Sequence, residues 1–367
     1  MTGMIFANLL RRPLRTFLTI AAVGVEVSLV VMIVGLTTGL LHETAKRIEG
    51  VGADLMLQPP ASSLFLAFSG APMPIKIQQK LEEIEHVAAV APVLLQFNTA
   101  ADSGLAIVYG IDLKSFTALS GGFVFHAGGP FQAPDDILVD DKHAQAMKLQ
   151  VGARVPLFGR TFHVRGIVEH GKGARLFVPI ETLQALSAAR DKASLFYIRC
   201  DDPKHTRAVA AAIATLFPRH HVRPVREFLS LMTSTRLPGL NTFVSSMITL
   251  GVVVGFLVIF LSMYTTILER TREIGILKAL GASKADIVRW VLQESLLVCT
   301  LGILAGFGFS YGGRTLLLEM FPTIAILISP DWLARAALLA LVSGTLGALY
   351  PAYLAARQDP LVALAYE

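Results

Sequence analysis

The chain has 367 residues, of which 53% are hydrophobic and only 16% charged, with a mean hydropathy of +0.59. This is too apolar for a water-soluble globular protein of that length, so membrane spans are the first thing to seek. The net charge of +5 requires no nucleic-acid partner, because much of the Lys/Arg excess flanks the apolar runs and no basic or aromatic recognition motif accompanies it.

From the N-terminus, Arg11, Arg12 and Arg15 precede an apolar run over Phe17–Leu41. The run exceeds the h-region of a cleaved signal peptide and no small-residue cleavage site follows, so it is expected to stay as an anchor. Glu26 lies about ten residues into it, near the bilayer centre, where an acidic side chain costs on the order of 2.5–3.5 kcal/mol. It is expected to avoid lipid, either as a substrate or gating contact or as a polar lock against Ser, Thr or Gln on a neighbouring helix.

Segment 42–238 has ordinary soluble composition and is long enough for its own core. GADLMLQ (52–58), AVAPVLLQF (89–97) and LAIVYGI (105–111) read as strands, and Ile77, Leu81 and Ile84 recur at helical spacing. SLFYIRC (194–200) reads as a strand, Asp202–Pro203 opens a helix to about Phe217, and HHVRPV (220–225) returns as a strand. Within 135–182, the runs ILVDD, ARVPLFG, RTFHVRGIVEH and ARLFVPI with Gly159 and Gly171 predict a small β lobe inserted into the α+β lobe, spanning about 122–190. The segment 58–74 carries Leu64, Phe65, Leu66 and Phe68 between Pro and Gly breakers. It is either packed on the lobe or a tip that meets a partner or the membrane.

All nine histidines lie between His42 and His221. No HxxxH or HExxH spacing occurs, so they read as scattered surface residues and no metal site is expected. Ser, His and Asp occur without a GxSxG elbow, and no GxxxxGK[ST] phosphate loop is present, so no catalytic residues are assigned. If ATP drives this protein, another chain is expected to bind it. Cys200 and Cys299, one outside the membrane and one inside a span, give no disulfide framework.

Three further spans follow at Thr242–Leu268, Ile287–Tyr311 and Trp332–Leu354, each long enough to cross ~30 Å of hydrocarbon. Arg270, Arg272, Lys278, Lys284 and Arg289 put the loop between spans two and three in the cytoplasm, with the N-terminal flank. Both termini are then inside and 42–238 is outside. Small residues recur four apart at Gly35 and Gly39, Gly251 and Gly255, Gly302 and Gly306, and Ala340, Gly344 and Ala348, which favours a packed bundle or a dimer. Gln293 and Glu294 sit nearer the inner end of span three, where water solvates them more easily.

Between spans two and three stands ERTREIGILKALGAS (269–283). Ile274, Leu277 and Leu280 recur every three residues, while Glu269, Arg270, Arg272, Glu273 and Lys278 are polar. Gly281 ends the segment, and Ser283 with Asp286 forms a capping box that starts the next helix. A short amphipathic helix on the cytoplasmic face suits a partner's groove or the lipid surface.

ERTREIGILKALGASKADIVRWVLQESLL (269–297) resembles the signature of the FtsX-like, MacB-type ABC transporter permeases. YPAYLAARQDPLVALAYE (350–367) resembles that family's C-terminal pattern at Pro351, Ala352, Ala355, Pro360, Ala363, Leu364 and Glu367. NLLRRPLRTFLTI (8–20) resembles its N-terminal region, and 137–169 its periplasmic core. The resemblance implies a four-helix membrane bundle with a large extracytoplasmic α+β domain, a porter-like α+β lobe carrying the inserted β lobe. It divides the chain into 1–41, 42–238, 239–268, 269–283, 284–313, 314–331, 332–356 and 357–367, alternating membrane helices with the connections above.

It also implies that 269–281, with Gly275 and Gly281 among its residues, couples to an ATPase. No cofactor is expected in this chain. ATP and Mg are bound by two copies of a partner ATPase subunit, beside a second permease copy, identical or paralogous, and a periplasmic fusion protein or lipoprotein. The expected function is mechanotransmission in the bacterial cytoplasmic membrane. It would drive export or extraction of a lipoprotein, lipid, haem-like molecule, drug or peptide. The alternative from another class is a non-transporting, FtsX-like regulator of cell-wall hydrolases. A membrane-anchored enzyme is disfavoured because no catalytic constellation is present.

Overall fold

The computed structural model describes residues 13–60, 71–100, 104–233 and 239–359. Leu64, Phe65, Leu66 and Phe68 lie outside the described residues, as do 360–367. The chain divides into two compact units, one of Met1–Gly39, Pro238–Met320 and Ile324–Glu367, the other of Leu40–Leu237 with Phe321–Thr323.

Helix α1 runs unbroken over Pro13–Glu49, and at 1.5 Å per residue it is roughly 55 Å long, well beyond the ~30 Å of a bilayer core. The next elements are β1 (Leu55–Gln58), β2 (Met73–Pro74), α2 (Ile77–Glu82), β3 (Val87–Ala100), β4 (Gly104–Ile111), α3 (Leu113–Ser120) and β5 (Phe125–Gly128). β6 (Asp136–Asp140), α4 (Asp141–Ala146), β7 (Arg154–Leu157), β8 (Arg160–Val168), β9 (Leu176–Pro179) and α5 (Ile180–Leu186) follow. The unit closes with β10 (Lys192–Ala193), β11 (Leu195–Cys200), a 3-10 turn at Pro203–His205, α6 (Thr206–Leu216), β12 (His221–Pro224) and α7 (Val225–Thr233).

These strands form one mixed sheet in the order β12-β1-β11-β3-β4-β9-β6-β8-β5, with β7 added on β8 and a separate β10–β2 pair. β11 is buried on both faces over Leu195–Ile198, which suits its unbroken LFYI run, whereas β8 alternates, with Phe162, Val164 and Val168 inward and Arg160 and His163 outward. Two hydrophobic cores share the sheet. Leu55, Leu57, Val90, Phe196 and Ile198 pack under α2 and α6 through Leu81, Val209 and Ile213. Leu94, Val108, Val139, Phe162 and Val178 pack with Leu183 of α5. β3 supplies Val90 to the first core and Leu94 to the second, four residues on along the same face. The inserted strands therefore extend the same sheet, joining it through the parallel β4–β9 pair rather than closing on themselves.

Among the described residues, four helices are long and apolar enough to span a membrane: α1, α8 (Leu240–Glu269), α10 (Lys284–Met320) and α11 (Pro330–Arg357). Between α8 and α10 lies the short helix α9 (Thr271–Ala279). The Ser283 backbone N–H and hydroxyl donate to the Asp286 carboxylate, and the Asp286 N–H donates to the Ser283 hydroxyl at 3.2 Å, so the capping box forms. Gly281 holds φ +100°, the left-handed conformation that ends α9 at little cost to a glycine.

Candidate functional site

The first residues to place are those of α9. Ile274 and Gly275 are buried, Ile274 in the bundle core, and Leu277 packs half-buried against that core. Leu280 is 81% exposed. The three apolar residues expected on one docking face are therefore split, with Ile274 and Leu277 turned into the chain's own bundle. The outward apolar residues are Ile276 and Leu280, and with exposed Arg272 they form a stripe at four-residue spacing. Ile276 was not among the residues singled out from the sequence. The signal was present in its i, i+4 relation to Leu280.

Three of the five polar residues expected to meet a partner, Glu269, Arg270 and Lys278, instead bind the chain's own helices. Glu269 accepts two bonds from the Arg15 guanidinium of α1, both 2.7 Å. Arg270 pairs with Glu294 of α10 at 3.2 Å, approaches Glu273 at 3.8 Å and lies 5.7 Å from the centre of the Trp290 ring. Lys278 donates to the carbonyl of Ala356 at 3.0 Å and to that of Gln358, satisfying carbonyls at the end of α11. The Gln358 amide donates to Thr271 at 3.3 Å. The short helix is thereby latched to α10 through its capping residue Arg270 and to α11 through Lys278, while Glu269, the last residue of α8, ties the turn before it to α1. Gln293 is exposed and lines a cleft of about 730 Å³ beside it, with Val288, Leu292, Tyr353 and Arg357.

Inside the bundle, α1 and α8 meet along an antiparallel seam: Arg15 on Glu269, the Thr19 hydroxyl 2.9 Å from that of Ser262, Glu26 on Gly255, and Val30 on Gly251. Glu26 is 8% exposed, packed inside the bundle. Its carboxylate fills the space that a side chain on residue 255 would occupy. Among the described residues it makes no ion pair. The other glycines serve the same packing. A Cβ on Gly302 or Gly306 would meet Val23 or Val27 of α1 at 2.6–2.8 Å, and one on Gly344 would overlap Cys299. Gly35 and Gly39 instead receive the returning segment Ala325–Ile328, whose Leu327 N–H donates to Gly35 O at 2.9 Å.

Residues 40–49, the last turns of α1, belong to the α+β unit. Arg47 bonds Glu43 at 3.3 Å and lies 3.7 Å from Asp140, Lys142 reaches Glu43 at 3.4 Å, and Gly173 N–H donates to Arg47 O at 2.9 Å. Arg175 donates to Thr323 O at 2.5 Å. Elsewhere in that unit two of the histidines read as scattered, His86 and His205, converge on Asp201. His86 and His205 each place Nδ1 2.8 Å from an oxygen of Asp201. The bonds from His205 and His86 hold the Asp201 carboxyl well below the usual range, and the bond to Asp201 raises His86 in turn.

Residues 16–216 match the family model of the MacB-like periplasmic core domain, and 245–360 match that of the FtsX-like permease C-terminal region. The chain belongs to the MacB-type, FtsX-like ABC transporter permease family. It is similar to the macrolide export ATP-binding/permease protein MacB of Hyphomonas neptunium, 29% identical, with 99% of this chain and 60% of the relative covered. The MacB protein of Rhodospirillum rubrum is 26% identical, with 96% and 58% covered. The chain thus spans about three fifths of the length of these relatives. Among solved structures, the periplasmic region of MacB from Actinobacillus actinomycetemcomitans aligns at 15% identity and TM-score 0.40, covering 52% of this chain and 97% of that one. The extracellular domain of a noncanonic ABC-type transporter, YknZ, from Gram-positive bacteria aligns at 15% and 0.36, covering 47% and 98%. In this MacB-type permease, α9 lies in the FtsX-like match and the sheet in the periplasmic-core match.

Proposed function

We propose that this chain is a permease that converts ATP binding and hydrolysis, carried out by an ATPase outside these 367 residues, into movement of its α+β domain on the far side of the cytoplasmic membrane. The observation that carries the reading is the latching of α9. A helix held by Arg270–Glu294 to α10 and by Lys278–Ala356 to α11, and following directly on Glu269 of α8, passes force to these spans while offering Arg272, Ile276 and Leu280 outward. α1 is the proposed link to the α+β domain: its Arg15 bonds Glu269 of α8, and its residues Glu43 and Arg47 meet Lys142, Asp140 and Gly173 within that domain. For this to drive work, the ATPase must bind two arrangements of the bundle with different affinity. Two permeases and two ATPases form the proposed complex. In the proposed orientation both termini and α9 are cytoplasmic and Leu40–Leu237 is outside, which the basic flanks of α1 and α9 support. A hydrophobic compound of the kind named for the macrolide exporters, or a lipid or lipoprotein, is the proposed cargo.

The test separates the outward stripe from the inward face. Leu280→Arg places a charge where a groove would bury an apolar contact, so co-purification of the ATPase should fall at least tenfold with the permease's thermal stability unchanged. Leu277→Arg should instead lower the unfolding temperature in micelles, because Leu277 packs on the chain's own core. Undiminished ATPase association in Leu280→Arg would remove α9 from the coupling path.

A further inference from the structure

We infer that His86, Asp201 and His205 form a binding site for a first-row divalent transition-metal ion of the Zn²⁺ class. The site does not depend on the transport reading. The fold prepares it before any side chain turns. β3 and β11 pair antiparallel with Val87 opposite Cys200, and a register shift lies between Arg199 and Cys200. Just beyond the end of that ladder, Asp201 N–H donates to His86 O at 3.1 Å, so the two residues face each other across adjacent strands. Asp202 then caps the turn at Pro203–His205, its carboxylate accepting from Lys204 N–H at 2.9 Å. That turn brings His205 back over Asp201, four residues on.

The result is one carboxylate flanked by two imidazoles. Each Nδ1 is 2.8 Å from a carboxylate oxygen, and the rings stack with centroids 3.7 Å apart and planes at 27°. One donor atom from each residue lies within 4.8 Å of the other two. Two ligands held 2.0–2.1 Å from one Zn²⁺ at about 90–110° are roughly 2.8–3.4 Å apart, so the observed N···O separations fit an edge of its coordination shell. His86 holds φ +70°, a left-handed conformation uncommon outside glycine and favoured where geometry is functionally constrained.

The donor set selects the ion. Two imidazoles and a carboxylate suit Zn²⁺, Ni²⁺ or Cu²⁺, whereas Mg²⁺ and Ca²⁺ seek an all-oxygen shell. On binding, each ring presents the Nδ1 lone pair and carries its proton on Nε2, and a ring held as imidazolium releases its Nδ1 proton to solvent. All three side chains are one third to one half exposed, so the ion exchanges with solvent and retains a position for water or an outside ligand. Bound there, it ties the start of β3 to the turn after β11.

The test uses the full chain in detergent micelles, purified with a histidine-free tag, stripped with chelator and titrated with Zn²⁺ against a chromogenic competitor. One equivalent is expected, weakened at least tenfold in His205→Ala and in Asp201→Asn, and unaffected by excess Mg²⁺. A variant carrying His220→Ala and His221→Ala should bind as the parent does. Far-UV circular dichroism and gel filtration check that each variant keeps its fold, and His86→Gln serves if His205→Ala does not. No tight equivalent, retention within twofold in the folded His205 and Asp201 variants, or loss in the His220/His221 variant would each overturn the site.

Discussion

Glu26 and Gly255 define each other: the carboxylate can stay inside the bundle because residue 255 has no side chain. Valine at 255 would force the two helices apart or the carboxylate toward lipid, an overpacking that costs about 1–3 kcal/mol. Gly255→Val should therefore lower the unfolding temperature in micelles, and Glu26→Ala in the same chain should recover most of the loss. Glu26→Gln keeps the shape and removes the charge. It should leave assembly intact while the transport-coupled ATPase rate of the reconstituted complex falls severalfold. A parental rate would return Glu26 to a packing role. The depth of Glu26 was legible in sequence, since counting residues along an apolar run fixes it. Its partner was not: a Ser, Thr or Gln was expected, and the structure supplies the absence of a side chain.

At the scale of the element, α9 shows why spacing alone misplaced a face. Residues in a helix turn by about 100° each, so Leu280 lies about 120° around the axis from Ile274, while Ile276 and Leu280 are only about 40° apart. The three-residue spacing therefore described a broad band that the bundle takes from one side. The charges were equally ambiguous, because a charge run in sequence does not say whether it faces a partner or its own chain. Arg270 answers that for itself through Glu294, whose side chain is only 9% exposed. Arg270→Ala leaves that carboxylate buried without its partner, a loss of about 3 kcal/mol. A matching fall in stability should be seen by thermal or denaturant unfolding, and Arg270→Met with Glu294→Leu should regain most of it. Equal stability of Arg270→Ala and the parent would show the latch to be ornamental.

At the scale of the whole molecule, the topology is open to direct test. Both native thiols are buried, so a single introduced cysteine reports its own compartment. Glu85→Cys, at a position 90% exposed, should react with a membrane-impermeant maleimide in intact cells, and Arg272→Cys only after permeabilisation. The reverse pattern would invert the assignment made from basic flanks. Composition, span length and the strand–helix alternation of 52–111 and 194–225 were readable because burial of apolar surface imposes periods of 3.6 and 2 on local sequence. The capping box was readable because both its members act within one turn. What only the tertiary structure decided joins residues far apart in the chain: β3 serving two cores, Arg15 on Glu269, Glu26 on Gly255, and His86 beside Asp201, 115 residues away. Local sequence sets which faces are apolar, but the pairing of those faces is fixed by the packing of the whole chain.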